Sequence, residues 1–123
     1  MKKFLFCAAV ALFLAGCGEG PEKAMEKAFL AVKKCNIDEA YKYMHFENKT
    51  EGEAWLNKTK QSCKNNEKYR EIFSQNELLT APKIIEKNDK KAIVEFTWRC
   101  GEAPEKTTQE TFVKVGGKWL LSK

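Results

Sequence analysis

Apolar residues between positions 24 and 32 recur three and four apart: Ala24, Met25, Ala28, Phe29 and Val32. That spacing lays them along one stripe of a helix and predicts one over about residues 21–34. Pro21 suits its first turn, and Glu22 complements the positive end of its dipole. Asn36, with Glu39 three residues on, has the form of a capping box opening a second helix over about 37–46. Ile37, Ala40, Tyr41 and Met44 would form its buried face. Thr50 and Glu53 repeat the start signal for a third helix, about 51–64, carrying Trp55, Leu56, Thr59 and Cys63 in one sector. Asn65-Asn66 ends it, and Tyr69, Ile72 and Phe73 suggest another short helical stretch.

After Asn76 the period becomes two. Leu78 to Lys87 reads as a strand in which Pro82 demands an edge position or a bulge, because it has no N–H for a ladder. Asn88-Asp89 turns the chain. The next strand alternates plainly, with Ala92, Val94, Phe96, Trp98 and Cys100 on one face and Ile93, Glu95, Thr97 and Arg99 on the other. A third strand is predicted over Thr107 to Val115. Gly116-Gly117 is a two-residue hairpin signal leading into Lys118-Trp119-Leu120-Leu121. Helices come first and an antiparallel meander follows. The class is α+β, with helices on one face of a sheet of about four strands.

Ahead of all this lies a segment of another kind. Lys2 and Lys3 precede an apolar run from Phe4 to Ala15, ending in Leu14-Ala15-Gly16-Cys17. The run is short of the ~20 residues that span a bilayer, and has the layout of a secretory signal. Leu14 to Cys17 resembles the lipobox of bacterial lipoproteins, in which the cysteine is S-acylated and becomes the first mature residue. The resemblance implies a signal peptide over 1–16, a lipidated Cys17, a tether over 17–20 and one domain over 21–123. It also implies a cell-envelope address with membrane attachment through the lipid. Gly18, in place of an inner-membrane-retaining aspartate, points to the outer membrane, facing the periplasm.

Processing changes the composition that matters. Without Lys2 and Lys3 the formal net charge falls from +5 to +3. The remaining lysines alternate with glutamates, as in Glu22, Lys23, Glu26 and Lys27, which is an ordinary solvated pattern. Neither charge nor compartment fits a nucleic-acid partner. Of five cysteines, Cys7 leaves with the signal and Cys17 carries lipid. Cys35, Cys63 and Cys100 remain, which in an oxidising compartment means one disulfide and one thiol. If the second and third helices form an antiparallel hairpin turning near Asn48-Lys49, facing residues have numbers summing to roughly 98. Cys35 with Cys63 meets that condition, and Cys63 with Cys100 is the alternative. No CxxC or Cys/His cluster is present, so neither a metal site nor a cofactor is expected.

Three short helices, a strand pair and a closing strand-Gly-Gly-Lys-Trp-strand hairpin resemble the nuclear-transport-factor-2-like (cystatin-like α+β) superfamily. Ala31-Val-Lys-Lys-Cys-Asn-Ile-Asp-Glu-Ala-Tyr41, together with the lipobox, is similar to small bacterial lipoproteins of unknown function within it. The resemblance implies a strongly curved sheet wrapped around the helices, often with a cone-shaped pocket. It also implies dimerisation through the sheet, so a homodimer is one expected partner state. That superfamily holds enzymes, binders and dimerisation modules alike, so the fold selects no activity.

His45 is the single histidine and the obvious general base. Its plain reading is a residue at the C-terminal end of the second helix, favouring the dipole. Superfamily enzymes commonly set a His/Asp pair in the pocket, whereas the strand face Ala92, Val94, Phe96, Trp98 carries no ionisable group. Tyr41, Phe96, Trp98 and Trp119 could line an apolar pocket, or simply fill the core. Glu95 and Arg99 belong to a solvated cross-strand network or to the rim of an interface. The expectation is a non-enzymatic, lipid-anchored envelope protein binding a small apolar ligand or an envelope protein. A pocket enzyme using His45 is the alternative.

Overall fold

The computed structural model describes residues 19–123; the expected signal peptide and the lipidated Cys17 lie outside the described residues. Four helices precede most of the sheet. Helix α1, Pro21–Lys33, opens with proline at its first turn and buries Ala24, Met25, Ala28 and Ala31. It ends in a Schellman motif: Asn36 N–H donates to Ala31 O (2.8 Å) and Cys35 N–H to Val32 O (2.9 Å). Cys35 holds the left-handed position with φ 56°.

Helix α2 is shorter than its periodicity predicts, Ile37–Tyr41 rather than about 37–46, and Asn36 makes no side-chain cap. The chain leaves the helix to form strand β1, Met44–His45, which pairs parallel with strand β6, Lys118–Ser122. Leu121 N–H donates to Tyr43 O (2.7 Å) and Lys123 N–H to His45 O (2.8 Å). A sheet edge thus satisfies backbone groups that a further helical turn would have satisfied. Met44 still reaches the core, from a strand instead of a helix.

Helix α3, Lys49–Asn65, starts two residues before the predicted position because Asn48, not Thr50, is its cap, accepting from Glu51 N–H at 3.1 Å. It buries Gly52, Thr59 and Cys63, while Trp55 and Leu56 are half-buried. Helix α4, Glu67–Ser74, is capped by Asn66, which accepts from Tyr69 N–H (3.1 Å). The Arg70 guanidinium donates to the carbonyls of Cys63 and Lys64, covering two acceptors that the end of α3 leaves open. Cys35 and Cys63 form a disulfide with Cα atoms 5.9 Å apart. It fastens the end of α1 to the end of α3. Cys100 is a half-buried free thiol.

The sheet has six strands rather than about four, and it is mixed. Its order is β1, β6, β5 (Lys106–Val115), β4 (Lys91–Cys100), β2 (Asn76–Leu78), with β3 (Lys83–Lys87) also on β4. One extra strand is β1, and the other arises because one expected strand is divided in two. Strand β2, Asn76–Leu78, and strand β3, Lys83–Lys87, both pair with strand β4, Lys91–Cys100. Between them the chain passes through Pro82. There the Thr80 hydroxyl oxygen accepts from Thr97 N–H (3.0 Å), standing in for a strand carbonyl. A register shift between Ile84 and Glu86 adds a bulge. Strand β5, Lys106–Val115, runs antiparallel to both β4 and β6. Gly116 and Gly117 both have positive φ, 56° and 82°, as a two-residue hairpin turn requires.

The core lies between α1 and one face of this sheet. Ala24 and Met25 pack with Ala92, Val94, Phe96, Phe112, Trp119 and Leu121. Phe112 and Val94 are wholly buried, and each such side chain stabilises the fold by about 1.5–3 kcal/mol. A second aromatic cluster stands apart. Tyr41 stacks on Phe46 and on Trp55, with centroids 5.9 and 6.4 Å away.

Candidate functional site

An apolar cleft of about 230 Å³ opens where α1 crosses the far end of the inner sheet face. The sequence places it there. The helical stripe that buries Met25 and Ala28 also carries Phe29 and Val32 over the Phe96–Trp98 end of β4. Phe29 meets Phe96 and Trp98 edge-on, at 6.3 and 6.4 Å between centroids. Met44 and Leu121 contribute from the β1–β6 side. The volume is below the ~300–1,000 Å³ usual for drug-sized ligands, so it suits a small one.

The polar groups of the cleft are Asn76, Thr108 and Glu110. Trp98 Nε1–H donates to Thr108 Oγ1 at 2.9 Å, which fixes the indole across the cleft wall. Asn76 Nδ2 donates to Phe73 O at 3.1 Å, so its amide oxygen remains an acceptor. Glu110 is paired in register with Val94, which puts it on the core-facing side of β5. It is half-buried and makes no ion pair or hydrogen bond among the described residues. The inner face of the sheet therefore does carry an ionisable group, contributed by β5 and not by β4. Alternation counted back from Phe112 through Glu110 to Thr108 was the signal that could have found it.

The four aromatic residues expected to share a pocket lie in three places. Phe96 and Trp98 line the cleft. Trp119 is buried at the opposite end of the sheet, beside a separate concavity of about 350 Å³ that includes Glu19, Tyr43 and Lys118. Tyr41 faces neither; stacking on Phe46 and Trp55 draws it to the α3 side. Trp98 is half-buried.

His45 is not at a helix end. It lies in β1 opposite Ser122, next to Met44, which packs into the core. Alternation sends His45 to the other face of the sheet, away from the cleft. Its side chain makes no hydrogen bond among the described residues, so nothing there orients it as a base.

On that other face Glu95 accepts from Gln109 (3.1 Å) and stands 3.7 Å from Lys83. Arg99 pairs with Glu77 at 3.3 Å, and the Thr97 and Thr107 hydroxyls meet at 2.9 Å. These are cross-strand pairs of a polar sheet face. Among the described residues no group of three or more His, Cys, Asp or Glu could hold a metal ion, and no helix is long and apolar enough to cross a membrane.

Fold and site together define a small disulfide-bonded α+β domain with an apolar cleft between its first helix and its sheet. The chain belongs to the family described as a domain of unknown function (DUF4878), whose model matches residues 15–122 and so takes in Cys17. No curated protein matches it.

Proposed function

We propose that this chain is a lipid-anchored protein of the bacterial cell envelope, whose domain binds a small apolar ligand without transforming it. The observation that carries the reading is the cleft itself. It presents Phe29, Val32, Phe96 and Trp98 beside a few polar groups, the make-up of a ligand site. Helices laid on one face of a mixed sheet, closed by the Gly116-Gly117 hairpin, support a nuclear-transport-factor-2-like assignment. Leu14 to Cys17 supports the anchor and the envelope address. His45 turns away from the cleft, which favours binding over chemistry.

Titration with octanol and with indole tests the cleft. The Trp98 indole N–H resonance should shift saturably, while those of Trp55 and Trp119 stay in place. Val32→Phe, which fills the cleft from a half-buried position on α1, should abolish the shift. Equal movement of all three indole signals, or none at saturating probe, would refute a binding cleft.

A further inference from the structure

We infer that the hairpin end of the sheet is a docking surface for anionic phospholipid headgroups; the inference rests on the anchoring of Cys17 proposed above. Two turns meet at this end, β3–β4 around Asn88 to Lys90 and β5–β6 at Gly116-Gly117. Near the second turn, Lys114 N–H of β5 donates to Lys90 O of the first at 2.9 Å. Five exposed lysines surround the joint: Lys87, Lys90, Lys91, Lys114 and Lys118. Asn88 Oδ1 fixes the first turn by accepting from the N–H groups of Lys90 (2.8 Å) and Lys91 (2.9 Å). Lys87 and Lys114 each hold their ammonium 5.7 Å from the Trp119 ring centroid. The charges thus stand on a fixed framework.

The first described residues emerge at the same end. Glu19 shares a concavity with Gly117, Lys118 and Trp119, and Ala24 and Met25 of α1 pack in one cluster with Trp119. Glu19 is held by an ion pair with Lys27. Only Gly18 separates it from Cys17, so the two Cα atoms are at most about 7.6 Å apart. A lipid on Cys17 therefore brings the hairpin end to the bilayer surface.

Glu86 and Asp89 adjoin these lysines along the chain, while Glu19 and Glu39, which share the concavity beside Lys118 and Trp119, are already paired with Lys27 and Lys42. An excess of positive charge remains within one ~10 Å screening length of the headgroups. Each lysine gains little alone from an anionic surface. The tether raises the local concentration so far that a weak attraction suffices to orient the domain. Lys34, Lys64 and Arg70, around the disulfide groove, stand past the far end of α1, roughly 20 Å away along the helix. They serve as an internal control.

The test uses full-length protein processed in bacteria and purified from their membranes. It is reconstituted in vesicles of phosphatidylcholine, with or without one third phosphatidylglycerol. Lysines are acylated with an amine-reactive reagent and their rates read by mass spectrometry. With phosphatidylglycerol, Lys87, Lys90, Lys91, Lys114 and Lys118 should be labelled about threefold more slowly or less, while Lys34 and Lys64 are unchanged. Salt near 1 M, where screening falls to ~3 Å, should remove the difference. In the variant Lys90→Gln/Lys91→Gln/Lys118→Gln, three exposed substitutions, the protection of Lys87 and Lys114 should be lost. Equal rates in both vesicles, or equal protection at Lys34 and Lys64, would overturn the docking surface and leave the anchor standing. Protein bearing no lipid on Cys17 would overturn both.

Discussion

Cys35 occupies the left-handed position that ends α1, at φ 56°, and from there reaches Cys63 across 5.9 Å between Cα atoms. That position ordinarily takes glycine, which has no Cβ to strain it. Here the residue is retained in a costly conformation because its sulfur closes a loop of 28 residues. In the chain-entropy treatment the closure is worth about 3.5 kcal/mol.

The first prediction separates these two terms. Replacing both cysteines by alanine should lower unfolding free energy by about 3 kcal/mol, read from denaturant midpoints under oxidising conditions. Cys35→Gly with Cys63→Ala should recover about 1 kcal/mol of that, because glycine takes the left-handed position without strain. Equal stability of the two double variants would mean the backbone at 35 relaxes once the disulfide is gone.

The second concerns the core. Phe112 is wholly buried beneath α1, whereas Trp98 is half-buried at the cleft. Phe112→Ala should cost about 3–5 kcal/mol, and Trp98→Ala distinctly less although more atoms are deleted. Trp98→Phe should cost about 1 kcal/mol, the hydrogen bond to Thr108 being its main loss. Chemical denaturation decides the order, and a Trp98→Ala variant weaker than Phe112→Ala would contradict the placement.

Gly52 gives a third. A Cβ there would stand 2.8–3.0 Å from the Phe46 side chain, near its own backbone end. A glycine-to-alanine change inside a helix normally gains about 1 kcal/mol. Gly52→Ala should instead destabilise by about 1–2 kcal/mol, because Phe46 must leave its stack with Tyr41 and Trp55. A melting temperature at or above that of the unsubstituted protein would refute the close approach.

Lys27 gives the fourth. The hydrogen bond from its ammonium to Glu19 raises its pKa above the ordinary lysine value. A raised pKa contributes stability that is complete below the unfolded-state value and is lost as pH rises through the folded-state value. The contribution of the raised Lys27 pKa should therefore be complete at neutral pH and lost as pH rises into the alkaline range. Glu19→Gln should lower the Lys27 midpoint measured by heteronuclear NMR of its side chain. An unmoved midpoint would mean that Glu19 does not hold the ammonium in solution.

The sequence was most legible where one period governed a whole element. The alternation of Ala92, Val94 and Phe96 and the stripe of α1 both survive into the core, because each is fixed by burial on a single face. The α+β class followed from their order. Legibility failed where two backbone solutions serve the same half-buried side chain. Met44 fits the helical period of Ile37 and Ala40, yet it enters the core from β1, because the edge of β6 offers hydrogen-bond partners. The split at Pro82 was half visible: a missing N–H was evident, but not that Thr80 would complete the ladder at Thr97. Capping pairs were ambiguous for a similar reason, since Asn48 with Glu51 and Thr50 with Glu53 are both well-formed signals and the earlier one prevails. The cleft was partly readable. Phe96 and Trp98 belong to it, but Glu110 needed the register of β5 against β4, which depends on tertiary pairing.

The most direct measurement is the intact mass of the protein isolated from bacterial membranes, followed by sequencing of its N-terminal peptide. The expected product is a chain that begins at Cys17 and carries acyl lipid, with Cys17→Ala leaving either the uncleaved precursor or a protein in the soluble fraction. A mature chain starting elsewhere, an unmodified Cys17, or a Cys17→Ala variant that has lost residues 1–16 and is still recovered in membranes at the unsubstituted level would contradict it.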